Sequence, residues 1–171
     1  MIRIDIPATS ANLGSGFDSL GIALTMCNRV WMEEADELKI TTTDKIKVPT
    51  DETNLIYWAA RHLYQICGKT LPGLHIIQEN NIPMARGLGS SSACIVAGIL
   101  GANRMLGSPM SQSDLINLAA QIEGHPDNTS PAISGGLVAS AMEGKRVYSV
   151  SVPVSGKISF AVMIPPFELK T

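Results

Sequence analysis

The sequence predicts a single domain of the α+β class, and three observations support that prediction. The chain has 171 residues, of which 45% are hydrophobic and 16% charged, which is enough apolar material for one sizeable core. Segments with the alternating pattern of strands and segments with the 3.6-residue period of helices both occur. The two kinds of segment mix along the chain without a strict βαβα rhythm, which favours α+β.

The N-terminal part of the chain is predicted to be extended. Residues 2–6, "IRIDI", alternate apolar and polar side chains and predict a strand that ends at Pro7. Residues 23–35 predict a longer extended stretch. Residues 38–43 are rich in Ile and Thr and predict a strand that pairs with that stretch.

Residues 53–68 predict the first helix, which Gly68 closes, and residues 73–79 predict a short strand after it. The period of the helix places five side chains on its buried face: Leu55, Trp58, Ala59, Leu63 and Ile66.

Two further helices and three extended segments are predicted in the second half. The helix after Ser91 has Ile95, Val96, Ile99 and Leu100 on its buried side, and Ala93, Ala97, Gly98 and Gly101 allow close packing there. Residues 111–124 predict another helix, with Ser111 as its N-cap and Asp114 three residues on. The extended segments are residues 135–142, 146–152 and 158–165.

Charge and cysteine content exclude several classes of protein. The net charge of −2, with no run of Lys and Arg, argues against nucleic-acid binding. Cys27, Cys67 and Cys94 are odd in number and form no CxxC pair, which argues against a disulfide framework or a zinc site and suits a reducing cytoplasm. The N-terminus has no signal-peptide pattern, and no apolar run approaches the roughly 20 residues that span a bilayer. We therefore expect a cytoplasmic protein that does not bind membranes.

Residues 83–93, "PMARGLGSSSA", have the composition of a phosphate-binding loop that leads into a helix. Gly87 and Gly89 remove the Cβ atoms that would obstruct a phosphate, and the helix N-terminus adds unpaired N–H groups. The three serines that follow can donate hydroxyl hydrogen bonds or bind magnesium. The alternative is a tight turn with serine caps. The loop is not a Walker A loop, because no lysine follows Gly89, nor a Rossmann fingerprint, because Ser92 replaces the third glycine.

A second polar group lies in residues 7–24, "PATSANLGSGFDSLGIAL". Asn and Asp among glycines build turns, which is the simpler interpretation. However, Asp18 stands between Phe17 and Leu20, where a carboxylate is costly without a cationic partner, and a substrate ammonium group would supply one. Both interpretations remain open for the polar residues Thr9, Ser10, Asn12 and Asp18.

A third polar group lies in residues 123–136, "EGHPDNTSPAISGG", and two prolines stiffen it. It is either a polar surface loop or a binding loop with fixed side-chain directions. His125 could donate a hydrogen bond or act as a base, and no HExxH motif is present. The polar residues are Glu123, His125, Asp127, Asn128 and Ser130.

These three motifs together resemble the GHMP small-molecule kinases, and within them the homoserine kinase branch, as does the terminal "IPPFELKT". The resemblance covers essentially the whole chain. It implies a ribosomal protein S5 domain 2-like fold, with a mixed sheet flanked by helices. It also implies transfer of the γ-phosphoryl group of ATP, with Mg²⁺, to the hydroxyl of L-homoserine, a step toward threonine.

The resemblance also implies roles for individual residues. Asn12 would approach the substrate hydroxyl, Asp18 would bind the substrate ammonium group, and His125 and Thr171 would border the amino acid. Asn128 falls where other GHMP kinases have a catalytic aspartate, and because an amide is no base, direct attack by the hydroxyl is expected. Asn54 would lie near adenine. The residues expected to hold ATP around the phosphates are Pro83, Arg86, Gly87, Leu88, Gly89, Ser90, Ser91 and Ser92.

The resemblance also implies ligands for magnesium. Ser91 is the expected hydroxyl ligand. Many relatives have an acidic ligand further upstream of the His-Pro-Asp-Asn turn, and Asn117 falls near that distance here. Glu123 is the expected substitute.

Two alternatives to the homoserine kinase interpretation remain. One is a GHMP kinase for another small alcohol, such as mevalonate or shikimate; the other is a non-catalytic module that binds nucleotide or a protein partner. We expect the chain to be the N-terminal ATP-binding domain, without the C-terminal ferredoxin-like domain of the family. An apolar flank would then be exposed, which favours self-association, for instance as a homodimer, and full activity is not expected from these residues alone.

Overall fold

The computed structural model describes residues 1–164 and Phe167, and it has one six-stranded sheet with four helices in the described part. The strands are β1 (Ile2–Leu13), β2 (Gly16–Glu34), β3 (Lys39–Thr42), β4 (Leu74–Glu79), β5 (Leu137–Glu143) and β6 (Arg146–Val152). The helices are α1 (Leu55–Ile66), α2 (Ser90–Met105), α3 (Gln112–Glu123) and α4 (Thr129–Ser134).

The long strand β2 organises the sheet. It pairs antiparallel with β1 along most of its length, with β4 near its end and with β5 near its start. β6 pairs antiparallel with β5, whereas β3 pairs parallel with β4. The sheet is therefore mixed, and the α+β prediction is confirmed.

Helices α1 and α2 pack closely against each other and against the sheet because α2 has small residues at the contacts. A Cβ at Gly98 would lie 2.4 Å from the carbonyl oxygen of Ile56, and one at Gly101 would lie 2.4 Å from the Met32 sulfur. The predicted close packing is confirmed. It fixes the direction of α2, whose N-terminus borders the site described below.

Two predictions about strands are wrong. Pro7 does not end β1, which continues to Leu13 and places Pro7 opposite Cys27. A proline fits there because its missing N–H matters little at a sheet edge, and a register shift follows immediately. The segment around Ile40 pairs with β4 rather than with β2, and Ile40 is opposite Ile76.

The buried face of α1 differs from the predicted one. Ala59 and Leu63 are buried, as predicted, but Leu55, Trp58 and Ile66 are exposed. Because the helix packs against both the sheet and α2, its buried surface is centred about one residue later in the chain than predicted. The residues that replace them are Ile56, Tyr57, Ala60 and Tyr64.

The ends of α3 follow the prediction, whereas the described part of the last predicted strand, residues 158–164, is not a strand. Ser111 caps α3 and forms a capping box with Asp114. Residues 158–164 have no regular secondary structure, and their side chains are exposed. No helix among the described residues is long and apolar enough to cross a membrane.

Candidate active site

A cavity of about 530 Å³ lies where three chain segments meet, namely the end of β1, the loop before α2 and the turn between α3 and α4. It brings together residues from all three polar groups. Its lining consists of Ala11, Asn12, residues 85–92, Glu123, His125 and Asn128.

The loop before α2 turns through three left-handed residues, Ala85 (φ 53°), Gly87 (φ 68°) and Gly89 (φ 64°). Between them Leu88 is buried and anchors the loop in the core. Gly89 is the N-cap of α2, and no side chain caps this end. The first N–H groups of α2 therefore have no side-chain acceptor, and the positive end of the helix dipole faces the cavity. This arrangement suits an anion such as phosphate.

The serines after the loop differ in their surroundings. Ser91 is exposed, whereas Ser92 is buried and its hydroxyl donates to Glu123 Oε1 at 2.9 Å. Glu123 is the last residue of α3, so the end of α3 faces the start of α2. A carboxylate thus lies beside the candidate phosphate cradle. Mg²⁺ is typically held by one or two carboxylates together with substrate phosphates, so this donor set fits the ion.

The other candidate for the acidic position points elsewhere. The Asn117 side-chain oxygen accepts a hydrogen bond from the Val147 N–H at 2.7 Å, which directs it toward β6. In contrast, the Glu123 carboxylate is close enough to α2 to affect Cys94. Burial raises the pKa of the Cys94 thiol to about 11, and the negative charge of Glu123 contributes to the increase.

The turn before α4 contains a linked set of polar side chains. His125 Nδ1 lies 2.5 Å from Asp127 Oδ1, and the carboxylate of Asp127 is fully buried. The Asn128 amide donates to the same oxygen at 3.3 Å. The contact with Asp127 makes Nδ1 the donor, so the imidazole presents Nε2 as its second polar atom. Sequence reasoning gave Asp127 no role of its own.

Asn12 lines the cavity, but Asp18 does not. Both residues have left-handed backbones, with φ of 58° and 52°, and the Asp18 N–H donates to Asn12 Oδ1 at 2.8 Å across the hairpin. The apolar neighbours of Asp18 in the sequence do not bury its carboxylate. At this end of the β1–β2 hairpin Asp18 is exposed, and Phe17 has 71% of its surface in solvent.

A second cavity of about 290 Å³ adjoins the first and shares Ala85, Ser90 and Ser91 with it. Asn54 lies in its wall, but the side chain is already engaged. Its oxygen accepts from the first N–H groups of α1, and its nitrogen donates to the Pro49 carbonyl and to Gln78. Asn54 therefore shapes this cavity, which is lined largely by apolar atoms.

Three other predicted residues have different positions. Arg86 lines the first cavity, and its guanidinium donates to the carbonyls of Met84 and Ala85. Pro83 is not among the residues that line either cavity. Thr171 lies outside the described residues.

Comparison with known proteins assigns the fold. Residues 54–136 match the profile of the GHMP kinases N terminal domain. A homoserine kinase of Clostridium botulinum is 44% identical over the whole chain, which spans 57% of that relative. A structure assigned as a homoserine kinase of Listeria monocytogenes superposes with a TM-score of 0.78 and 41% identity, over 88% of this chain and 53% of that one. The homoserine kinase of Cytophaga hutchinsonii superposes with a TM-score of 0.77 and 31% identity, over 90% of this chain and 52% of that one. The chain thus spans a little over half of its curated relatives' length.

Proposed function

We propose that the chain belongs to the GHMP kinase family and that the whole protein transfers the γ-phosphoryl group of ATP to the hydroxyl of L-homoserine. One observation carries the proposal: the glycine loop, the Glu123 carboxylate and the His-Pro-Asp-Asn turn line a single cavity. Its relatives named homoserine kinase support the choice of substrate over mevalonate or shikimate.

The phosphates of ATP are held at the N-terminus of α2. The backbone N–H groups of residues 87–92 donate to phosphate oxygens, and the helix dipole offsets part of their charge. Ser90 and Ser91 contribute hydroxyl groups. The apolar second cavity beside them receives the adenine ring, and Asn54 holds one wall of this cavity in shape.

Ser91 and Glu123 would hold Mg²⁺ beside the phosphates, and the ion would neutralise charge on the transferring phosphoryl group. Ser92 has a supporting role, because its hydroxyl already donates to Glu123 and fixes the direction of that carboxylate.

The homoserine hydroxyl is positioned by Asn12, and the ammonium group binds Asp18, whose backbone N–H lies against the Asn12 side chain. Asn12 Oδ1 is occupied by the Asp18 N–H, so Asn12 offers its amide N–H groups to the substrate. His125 borders the amino acid, with its ring direction set by Asp127.

Asn128 stabilises charge and takes no proton. An amide is not a base, and phosphoryl transfer proceeds through a loose transition state that depends mainly on positioning and charge neutralisation. The hydroxyl oxygen bonds to the γ-phosphorus while the bond to the ADP oxygen breaks, and the hydroxyl proton leaves to a phosphate oxygen or water.

The activity belongs to the whole protein, of which this chain forms the N-terminal ATP-binding domain. The exposed apolar side chains of residues 158–164 favour contact with a further domain or a second copy. The three free cysteines and the absence of a CxxC pair fit a cytoplasmic location.

Homoserine-dependent release of ADP tests the proposal. The full-length natural protein is incubated with magnesium-ATP and L-homoserine, mevalonate or shikimate in parallel. We expect ADP release with homoserine and none with mevalonate or shikimate. Release with mevalonate or shikimate alone would identify a different alcohol kinase, and nucleotide binding without release would favour the non-catalytic module.

A further inference from the structure

Thr9 is a buried polar residue at the junction of the three segments that form the cavity. Its side chain has no solvent-exposed surface, and it lies just after the register shift that follows Pro7 in β1. A buried hydroxyl requires a hydrogen-bond partner, so the position of its contacts indicates what it supports.

The backbone N–H and the side-chain hydroxyl of Thr9 each donate a hydrogen bond to a residue that lines the cavity. Its backbone N–H donates to the Leu88 carbonyl in the glycine loop at 3.2 Å. Its hydroxyl donates to Asn128 Oδ1 at 2.8 Å, across 119 residues of sequence. Gly89 packs against this hydroxyl, since a Cβ at Gly89 would lie 2.0 Å from Thr9 Oγ1.

The contact with Thr9 determines which end of the Asn128 amide faces which partner. The amide oxygen accepts from Thr9, and the amide nitrogen donates to Asp127 Oδ1 at 3.3 Å. A carboxylate only accepts, so the reversed amide would place two acceptors against each other. With one N–H used by Asp127, the second is left to a ligand in the cavity that Asn128 lines.

We propose that Thr9 is a positioning residue for phosphoryl transfer, which holds the Asn128 amide with its N–H directed at the transferring group. This inference rests on the proposed function. Its structural basis is the hydroxyl-to-amide hydrogen bond, and its chemical basis is that a pre-oriented donor stabilises developing negative charge better than a freely rotating one.

A double-mutant cycle tests this role in the full-length natural protein. The variants are Thr9→Val, Thr9→Ser, Asn128→Ala and the double variant Thr9→Val/Asn128→Ala. Valine keeps the branched shape and removes the hydroxyl, whereas serine keeps the hydroxyl. If Thr9→Val does not fold, Thr9→Ala removes the same hydroxyl with less bulk.

We expect Thr9→Val to lower kcat about 10–100-fold, as a misplaced catalytic group does, with KM for ATP within about threefold of wild type. Thr9→Ser should keep kcat within about threefold. In the Asn128→Ala background, Thr9→Val should change kcat less than about threefold, because the two residues act as one unit. If Thr9→Val lowered kcat in the Asn128→Ala background as much as it does in wild type, the proposal would be overturned. An unchanged kcat in the single variant Thr9→Val would also overturn it.

A second readout does not depend on turnover. The side-chain amide signals of Asn128 in a ¹H–¹⁵N spectrum are identified by their loss in Asn128→Ala. They should shift in Thr9→Val and stay in place in Thr9→Ser, and unmoved signals in Thr9→Val would overturn the proposal. A wild-type protein without homoserine-dependent turnover would instead contradict the proposed function, and these signals would still decide the role of Thr9.

Discussion

Gly89→Ala should destabilise the protein through two separable effects. Gly89 has φ of +64°, a backbone conformation that is unfavourable for residues with a Cβ. The new methyl group would also lie 2.0 Å from Thr9 Oγ1 and 3.1 Å from Asn128 Oδ1. Thr9 cannot easily move away, because it belongs to β1 and its backbone N–H is bonded to Leu88.

Gly68 is the matched control for the first effect. Its φ of +66° is almost the same, and a Cβ there would meet nothing within 4 Å. The left-handed backbone costs about 1–2 kcal/mol for a residue with a Cβ, so Gly68→Ala should lose about that much. The crowding at Gly89 adds about 1–3 kcal/mol, which gives about 2–5 kcal/mol for Gly89→Ala.

Urea unfolding of both variants measures the difference. For a chain of this size, each kcal/mol corresponds to a decrease in Tm of about 2–4 °C, so thermal unfolding provides a second measure. Equal losses in Gly89→Ala and Gly68→Ala would refute the close contact between Gly89 and Thr9.

Three further predictions concern charged side chains. Asp18→Asn should raise KM for homoserine while kcat at saturating homoserine is kept, since in the proposed function Asp18 binds the ammonium group; a lower kcat with an unchanged KM would assign it another role. Glu123→Gln should raise the Mg²⁺ concentration for half-maximal rate at least about tenfold, since an amide oxygen is a weaker ligand than a carboxylate. It should also lower the pKa of the Cys94 thiol below about 11 in a thiol titration. Hydrogen bonds from Ser111 lower the pKa of Asp114, so its stabilisation is complete above the unfolded-state pKa and is lost as pH falls through the lower folded-state value. The difference in unfolding free energy between wild type and Asp114→Asn, measured by urea unfolding, should therefore begin to narrow below about pH 4 and vanish below the folded-state pKa. A difference that did not narrow over this range would exclude the Asp114 carboxylate of the capping box as its cause.

Local features of this fold could be predicted from the sequence, because neighbouring residues determine them. The capping box needs only Ser111 and Asp114, three residues apart, and it is present as predicted. Likewise, the turns at Gly87 and Gly89 follow from glycine in a short loop, and both have left-handed backbones. Residues 146–152 have the predicted strand bounds.

Non-local features could not be predicted in this way. The Ile and Thr content around Ile40 indicates a strand but does not indicate its partner strand, which is β4, where Ile40 lies opposite Ile76. Asp18 stands between Phe17 and Leu20 in the sequence, yet Asp18 and Phe17 are exposed and Leu20 is only half-buried, so apolar neighbours do not predict burial here. The contact between Thr9 and Asn128 spans most of the chain, and only the folded sheet brings the two residues together.

Mapping of backbone amide shifts with ligands tests the central claim most directly. The protein is titrated with magnesium and a non-hydrolysable ATP analogue, and then with L-homoserine. The nucleotide should shift the amides of residues 87–92 most strongly, and homoserine should then shift those around Asn12, Asp18 and His125. Nucleotide shifts confined to another face, or no response to homoserine in the presence of nucleotide, would contradict the claim that this cavity joins ATP to its acceptor.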